Sequence, residues 1–159
     1  MTISERSVAR LDEVDSAIVR TLRRDGRASN RQLAAAAGVA ESTAHARLRS
    51  LESRRIIVGY EAILSREALG QDVQALIGVS LRAGARQAHI VRFTEHVRSL
   101  PQVLQYFFVG GNDDFAIHVA VASTGELRQF IVSQISGHSS VASTRSSIIF
   151  EYGREASAL

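Results

Sequence analysis

Two strand-like segments in the second half of the chain are apolar on both faces, and this pattern restricts the possible folds most strongly. In residues 115–122, Phe, Ile and Val side chains alternate with three alanines and one histidine. In residues 103–109 the apolar side chains likewise fall on both faces. A sheet with one solvated face is expected to alternate apolar and polar residues. We therefore expect the open face of this sheet to pack on another sheet, most simply that of a second copy in a homodimer.

The order of elements after residue 72 predicts a ferredoxin-like βαββαβ domain. Its two right-handed crossovers place both helices on one face of a four-stranded sheet. The glycine-rich segment 110–114 joins the second and third strands as a hairpin. The predicted strands are 73–82, 103–109, 115–122 and 144–152, and the predicted helices are 86–99 and 125–136.

The first sixty residues show helical periodicity instead. A helix opens at Asp12, a second opens at Ser29 in a capping box with Gln32, and a third runs over 41–53. A glycine turn at 38–40 joins the last two, which is typical of a helix-turn-helix. A plain three-helix bundle is the alternative. Residues 56–60 are β-prone and are predicted to form a wing.

The fold class is thus α+β, with an N-terminal winged helix-turn-helix followed by the βαββαβ ferredoxin-like domain. We expect a flexible tail over 1–10, a DNA-binding domain over 11–60 and a linker over 61–72. An effector-binding and oligomerisation domain is expected over 73–159.

The charge distribution places nucleic-acid binding at the N-terminal end. The chain has arginines but no lysine; residues 1–60 hold eleven arginines and seven acids, a net charge of +4. Residues 61–159 hold eight arginines and nine acids, a net charge of −1. A basic excess confined to the helix-turn-helix indicates a surface for double-stranded DNA.

The helical wheel of residues 41–53 selects the residues expected to contact DNA. The wheel places Ala44, Leu48 and Leu51 inward, so the opposite side of the helix is exposed. In a helix-turn-helix, the N-terminal half of this second helix contacts base edges. Arg49 can read guanine or grip a phosphate, and arginines at the start of the second helix suit phosphates. Arg47 lies nearer the core edge, where a salt bridge with Glu52 or with an acid of the first helix is the alternative. The DNA-binding candidates are Arg27, Arg31, Ser42, Thr43, His45, Arg47 and Arg49.

Short motifs along nearly the whole chain resemble the Lrp/AsnC family of transcriptional regulators. They include Leu11-Asp12, the segment 25–27 (Asp-Gly-Arg), Gly38-Val39, residues 57–60 (Ile-x-Gly-Tyr) and the Gly-x-x-Asp of residues 111–114. The resemblance implies a winged helix-turn-helix joined to an effector domain. It also implies dimerisation through the sheets, assembly of dimers into octamers and response to a small amino-acid effector.

The loop over 110–114 is the candidate effector site. Its adjacent glycines allow backbone N–H groups to approach an anion, and an aspartate beside them can hold an ammonium group. A tight hairpin that needs these glycines for its geometry is the alternative. The family resemblance adds the turn before the last strand. The effector-binding candidates are Gly111, Asn112, Asp114, Thr144 and Ser146.

The sequence departs from the family pattern at three of these motifs. Ala40 stands where the family usually has a Ser or Thr that caps the recognition helix. Losing such a cap costs about 0.5–2 kcal/mol. Asp113 replaces a residue that is often aromatic, and Ser146 replaces a threonine.

Composition and missing motifs exclude several other functions. There is no cysteine, so disulfides and thiolate metal sites are ruled out. No apolar run is long enough to cross a membrane, and we expect a cytoplasmic protein. The histidines show no metal-ligand spacing, and no catalytic motif or cofactor fingerprint occurs. An architectural DNA-binding protein without an effector is the first alternative, and an enzyme built on the ferredoxin-like domain is the second. The effector, the operator, the sign of regulation and the oligomer size are left open.

Overall fold

The computed structural model describes residues 10–84, 86–151 and 153. Residues 1–9 of the expected tail, and Tyr152 at the end of the expected last strand, lie outside the described residues. The described chain forms two compact units that divide after Ile63, within the expected linker. In the described residues, no helix is long and apolar enough to span a membrane.

The first unit contains three helices that match the expected positions closely. They are α1 (Glu13–Arg24), α2 (Asn30–Ala37) and α3 (Glu41–Ser53). The capping box is present, since Ser29 Oγ accepts from the backbone N–H of Gln32 and Gln32 Oε1 accepts from that of Ser29. Gly38 closes α2 in the left-handed conformation, with φ of 66°. The helices enclose a core that includes Ile18, Leu33, Ala44 and Leu51, all fully buried.

The predicted wing is not a β-ribbon in this structure. Residues 54–63 contain no strand. The backbone N–H groups of Ile56 and Ile57 both donate to the carbonyl of Leu51, at 2.9 and 3.2 Å, and close the end of α3. Their side chains pack on the helical core. The β-propensity of this segment is therefore overridden by tertiary packing.

The second unit is a four-stranded antiparallel sheet in the order β2-β3-β1-β4. The strands are β1 (Val73–Leu81), β2 (Val103–Phe108), β3 (Phe115–Val121) and β4 (Val141–Ile149). The helices are α4 (Arg86–Arg98) and α5 (Thr124–Phe130), and a short 3₁₀ turn at Glu67–Leu69 precedes β1. The ferredoxin-like order is confirmed.

The bounds of the last strand differ from the prediction, and the last helix keeps nearly its predicted bounds but changes type. The last strand begins at Val141, three residues earlier than expected, and ends at Ile149. The expected helix over 125–136 changes at Ile131 into a π-helical turn, Ile131–Ser136. There the N–H of Gly137 donates to the carbonyl of Val132 at 3.1 Å, a wider turn that hydrophobic periodicity does not encode.

The sheet has one face under the helices and one open face. Ala75, Ile77 and Val79 of β1 are fully buried on the helix face, with Phe93 of α4 among their neighbours in the core. The open face carries the other residues of β1, such as Leu76 and Gly78, and the residues that pair with them on β3 and β4. There Leu76 is 44% exposed and Phe107 is 52% exposed, whereas Ala120 is already buried within the single chain. Exposed apolar side chains are therefore present on the open face, together with polar ones such as Gln74 and Arg145, which pair with Ala120 and Gly78.

Candidate DNA-binding surface and effector loop

The buried and exposed sides of helix α3 are those that the helical wheel predicted. Ala44 and Leu51 are fully buried, and Leu48 packs on the same core. Exposed residues cover the other side, and those that were predicted to contact DNA are Ser42, Thr43, His45 and Arg49. Arg27 and Arg31 are also exposed, before and at the start of α2. The structure leaves these six side chains available to a partner.

Arg47 has a different role, because it ties α3 to α1. Its guanidinium lies 2.6 Å from Asp12 Oδ2 and 3.3 Å from Asp15 Oδ1. The Asp15 side chain is almost fully buried and also receives Arg54, at 3.4 Å. The alternative of a structural ion pair with the first helix is thus correct for Arg47. Arg54 therefore also faces α1.

Helix capping and this ion pair act on the same carboxylate. Asp12 accepts the backbone N–H of Asp15 at 2.8 Å as the N-cap of α1. This hydrogen bond, with a smaller contribution from Arg47, holds the pKa of Asp12 below its ordinary value. Asp12 in turn raises the pKa of Arg47. The pair stays ionised at neutral pH and fixes the angle of α3 against α1.

The start of α3 lacks the usual side-chain cap. Ala40 has the extended backbone of an N-cap residue, and its carbonyl accepts the N–H of Ala44 at 3.0 Å, but no side-chain hydrogen bond is present. Glu41 supplies a negative charge in the first turn, which favours the helix through its dipole. Packing of Ala44 and Leu51 therefore holds the helix in place.

His45 contacts α2. Its Nδ1 lies 3.0 Å from Nδ2 of Asn30, the first residue of that helix. Asn30 is not among the residues predicted to contact DNA, and its one mark in the sequence is its position directly after the Ser29 cap. Both elements of the helix-turn-helix therefore contribute to the setting of this exposed histidine.

The hairpin loop between β2 and β3 is polar at its tip and buried at its base. Gly111 and Asn112 are exposed, and Gly111 has φ of 134°, a backbone conformation that favours glycine. Asp114, the candidate partner of an ammonium group, is buried. Its Oδ2 accepts the backbone N–H of Leu81 at 2.7 Å, and its Oδ1 receives the guanidinium of Arg86. The carboxylate therefore joins the loop to the end of β1 and the start of α4.

Asp113 has a partner that the sequence did not reveal. Both of its carboxylate oxygens accept from Arg145 of β4, at 2.8 and 2.9 Å. The carboxylate lies so close to Gly78 that a Cβ there would overlap it. Because Gly78 pairs with Arg145 across β1 and β4, Asp113 reaches over the open face of the sheet. Asp113 and Asp114 thus point to opposite faces.

Thr144 and Ser146 lie inside β4 and not in a turn before it. They pair with Val79 and Ile77 of β1, and so they face the helix side of the sheet. Thr144 Oγ1 is 3.0 Å from Ser136 Oγ in the π-helical turn. Since β1 stands between β4 and β3, these residues are separated from the loop by one strand within a single chain. The predicted effector residues therefore form two groups.

Two arginines of this region were missed by sequence reasoning. Arg86 is 59% exposed on its side chain and Arg145 is 65% exposed, yet each holds one aspartate of the loop. Their partners are far away in the chain, and no local pattern marks them.

Three histidines gather between α4 and the turn before β4. The rings of His96 and His138 stack with centroids 4.8 Å apart, and His89 Nδ1 lies 3.0 Å from Ser140 Oγ. The backbone N–H of Ser140 donates to His138 Nδ1 at 3.2 Å, so that nitrogen carries a lone pair. No group of three or more potential metal ligands occurs in the part of the chain that the structure describes.

Comparison with known proteins identifies both units. The family model of the AsnC-type helix-turn-helix domain matches residues 11–52, and that of the Lrp/AsnC ligand binding domain matches residues 74–156. The chain belongs to the Lrp/AsnC family of transcriptional regulators. The family resemblance and the fold class predicted from the sequence are thereby confirmed, and the protein is a DNA-binding regulator and not an enzyme.

Relatives and a solved structure match over nearly the full length. The transcriptional regulator AldR of Mycolicibacterium smegmatis is 42% identical over 94% of this chain and 86% of its own length. The leucine-responsive regulatory protein of Rhizobium meliloti is 29% identical over 92% of this chain and 93% of its own. A Neisseria meningitidis transcriptional regulator, solved as a complex with L-Met, superposes with a TM-score of 0.88. It is 27% identical and covers 94% of this chain and 96% of its own.

The histidines make stability depend on pH in a definite direction. Burial, with smaller effects of His96, Arg92 and His89, lowers the pKa of His138. Burial, with a smaller effect of Arg66, lowers the pKa of His118. Protons therefore bind the unfolded chain more tightly than the folded one at these sites. Stability should be fully present above the ordinary histidine pKa of about 6.5 and should fall as pH drops below it.

We expect the free energy of unfolding to decrease between about pH 7.5 and about pH 5.5, above the range of ordinary carboxyl groups. His138→Asn, which keeps an acceptor for the Ser140 N–H but does not titrate, should make this dependence shallower. The measurement is denaturant unfolding of both proteins across the pH range. A variant as pH-sensitive as the parent would show that His138 contributes none of the dependence.

Proposed function

We propose that this regulator binds specific sites on double-stranded DNA as a homodimer and responds to a small amino-acid effector in the cytoplasm. The observation that carries the proposal is the pairing of two features in one chain. One is an exposed surface of α2 and α3, bordered by arginines, in an AsnC-type helix-turn-helix domain. The other is the aspartate-bearing loop of a Lrp/AsnC ligand-binding domain.

Base readout falls to the exposed residues in the first half of α3. Ser42, Thr43 and His45 supply short polar groups that suit the major groove. Arg49, one turn further on, reads guanine or holds a phosphate. Arg27 and Arg31 bind phosphates. Arg47 contributes by fixing α3 on α1, since its guanidinium is engaged by Asp12 and Asp15.

Effector binding falls to the hairpin loop. An amino acid carries an ammonium and a carboxylate on adjacent atoms, and the loop offers the complementary pair. The ammonium replaces Arg86 at Oδ1 of Asp114, while the carboxylate is bound by backbone N–H groups of the glycine turn and by the displaced guanidinium. The solved relative in complex with L-Met supports an amino acid as the ligand class. Thr144 and Ser146 face the helix side of β4, and we assign them to this site through another copy of the chain.

The open face of the sheet supports dimerisation. Leu76 and Phe107 expose apolar surface there, in line with an interface against a second sheet. Assembly of dimers to an octamer is the further step that the family resemblance implies.

Removing Arg49 should weaken specific DNA binding. Arg49→Ala should lose about 1–3 kcal/mol if the guanidinium reads a base. The measurement is an anisotropy titration against a duplex selected by the parent protein, repeated at several salt concentrations, since phosphate contacts make affinity fall steeply with salt. Arg128→Ala, an exposed arginine of α5, is the matched control and should bind as the parent does. Parent-like affinity of Arg49→Ala would remove Arg49 from the interface.

Neutralising Asp114 should weaken effector binding. Asp114→Asn keeps the shape and an acceptor for the Leu81 N–H but removes the charge. A charge-assisted hydrogen bond is worth about 1.5–3 kcal/mol, so affinity should fall roughly ten- to a hundredfold. The measurement is calorimetric titration with L-methionine first and then with the amino acid that most raises the melting temperature.

Asp113→Asn is the control for this experiment, because its carboxylate faces the opposite side of the sheet. Equal affinities of the parent and Asp114→Asn would place the effector elsewhere. If no amino acid binds the parent at all, the result favours the alternative of an architectural DNA-binding protein without an effector.

Leu76→Glu should separate dimers into monomers. Ala120→Glu is unsuitable, because Ala120 is 1% exposed in the single chain and a charge there would disturb the fold itself. A glutamate at Leu76 is tolerated by a monomer but would be buried unpaired at a sheet-to-sheet interface. Val91→Glu on α4 is the matched control, with 46% exposure. A dimeric Leu76→Glu in light scattering would show that the open face is not the interface.

A further inference from the structure

The contact between Asn30 and His45 determines which ring nitrogen of the histidine carries a proton. An amide NH₂ group can only donate, and Asn30 Nδ2 lies 3.0 Å from His45 Nδ1. With the amide in this orientation, Asn30 donates and the ring nitrogen accepts through its lone pair. The neutral imidazole then has its single proton on Nε2.

Both side chains are attached to backbone that is firmly held. Asn30 follows Ser29 directly, and the capping box of Ser29 with Gln32 fixes the start of α2. His45 follows Ala44, which is fully buried in the core. Since the contact joins two fixed backbone positions, it sets the orientation of the imidazole as well as its tautomer.

We propose that Asn30 is a positioning residue for base recognition, which holds His45 so that α3 presents an Nε2–H donor to the major groove. This inference rests on the DNA binding proposed above and adds a determinant of its specificity. His45 is the fifth residue of α3 and is exposed, within the half of the helix that faces base edges.

A fixed donor discriminates between bases in a predictable way. Guanine presents N7 and O6 as acceptors in the major groove, adenine presents N7 and thymine presents O4. Cytosine presents its N4 amino group, which is a donor and leaves the His45 proton without a partner. The position that His45 contacts should therefore favour guanine and disfavour cytosine. The opposite tautomer would reverse this preference.

Asn30→Asp tests the inference because it reverses the hydrogen bond with little change in shape. A carboxylate can only accept, so His45 must place a proton on Nδ1 and, when neutral, offer Nε2 as an acceptor. The variant should fold, since α2 has no acidic residue in its first turn and a negative charge there suits the helix dipole.

Two readouts on the full chain are needed. The first is the ¹⁵N chemical shifts of the His45 ring in the free protein, which distinguish the tautomers. They should show the proton on Nε2 in the parent and on Nδ1 in Asn30→Asp. The second is selection from a random-sequence duplex library. The parent should favour guanine over cytosine at one position about tenfold, the effect of about 1.4 kcal/mol, and Asn30→Asp should lose or invert that preference.

The double variant separates this effect from a general effect of the new charge. In a His45→Ala background, Asn30→Asp should leave the base preference at that position unchanged, although overall affinity falls through repulsion of phosphates. A parent histidine protonated on Nδ1, or a base preference that does not respond to Asn30→Asp, overturns the inference alone. A parent that retains no duplex overturns the DNA-binding proposal and this inference with it.

Discussion

The ligand-binding domain depends on β1, one of the two strands that are hydrogen-bonded along both edges. It pairs with β3 on one side and with β4 on the other, and its Ala75, Ile77 and Val79 are fully buried under the helices. The hairpin loop between β2 and β3 is attached to the end of this same strand. The N–H of Asp114 donates to the carbonyl of Val79 at 2.8 Å, and the Asp114 carboxylate accepts the N–H of Leu81. The position of the loop is therefore set by a strand that is paired on both sides and packed under the helices.

In the helix-turn-helix, the charged side chains fall into two groups. The charges that face inward are satisfied by one another, because buried Asp15 receives both Arg47 and Arg54. The charges that face outward, on Arg27, Arg31 and Arg49, lie on an exposed surface. An arginine-rich sequence thus uses some guanidinium groups to hold a helix angle and others to meet an anionic partner. Composition alone does not distinguish the two uses.

Much of the fold could be predicted because local sequence patterns determine it. Hydrophobic periodicity located the helices, and Ser29 with Gln32 marked a capping box that the structure contains. Apolar residues on both faces of β2 and β3 predicted an apolar open face. The errors occurred where tertiary contacts compete with local preference. Ile56 and Ile57 have high β-propensity but close α3.

The side-chain partners in the candidate sites could not be predicted in the same way. Asp114 meets Arg86, and Asp113 meets Arg145, across more than one element of the fold. Such pairs depend on how strands and helices are stacked, and periodicity carries no information about them. The helical wheel placed Arg47 near the core edge, which made a structural ion pair the alternative to a DNA contact. It did not identify the partners, because Asp12 and Asp15 reach Arg47 only when α1 packs on α3.

Gly78 has a consequence for how this protein can change over time. Its missing side chain leaves room for the Asp113 carboxylate, which in turn holds Arg145. Any larger residue at position 78 displaces the aspartate and leaves the arginine without its partner. A substitution of Asp113 or Arg145 alone likewise leaves a charge without its counterpart. Residue 78, Asp113 and Arg145 are therefore coupled, because a side chain at position 78 moves the end of Asp113 and with it the partner of Arg145.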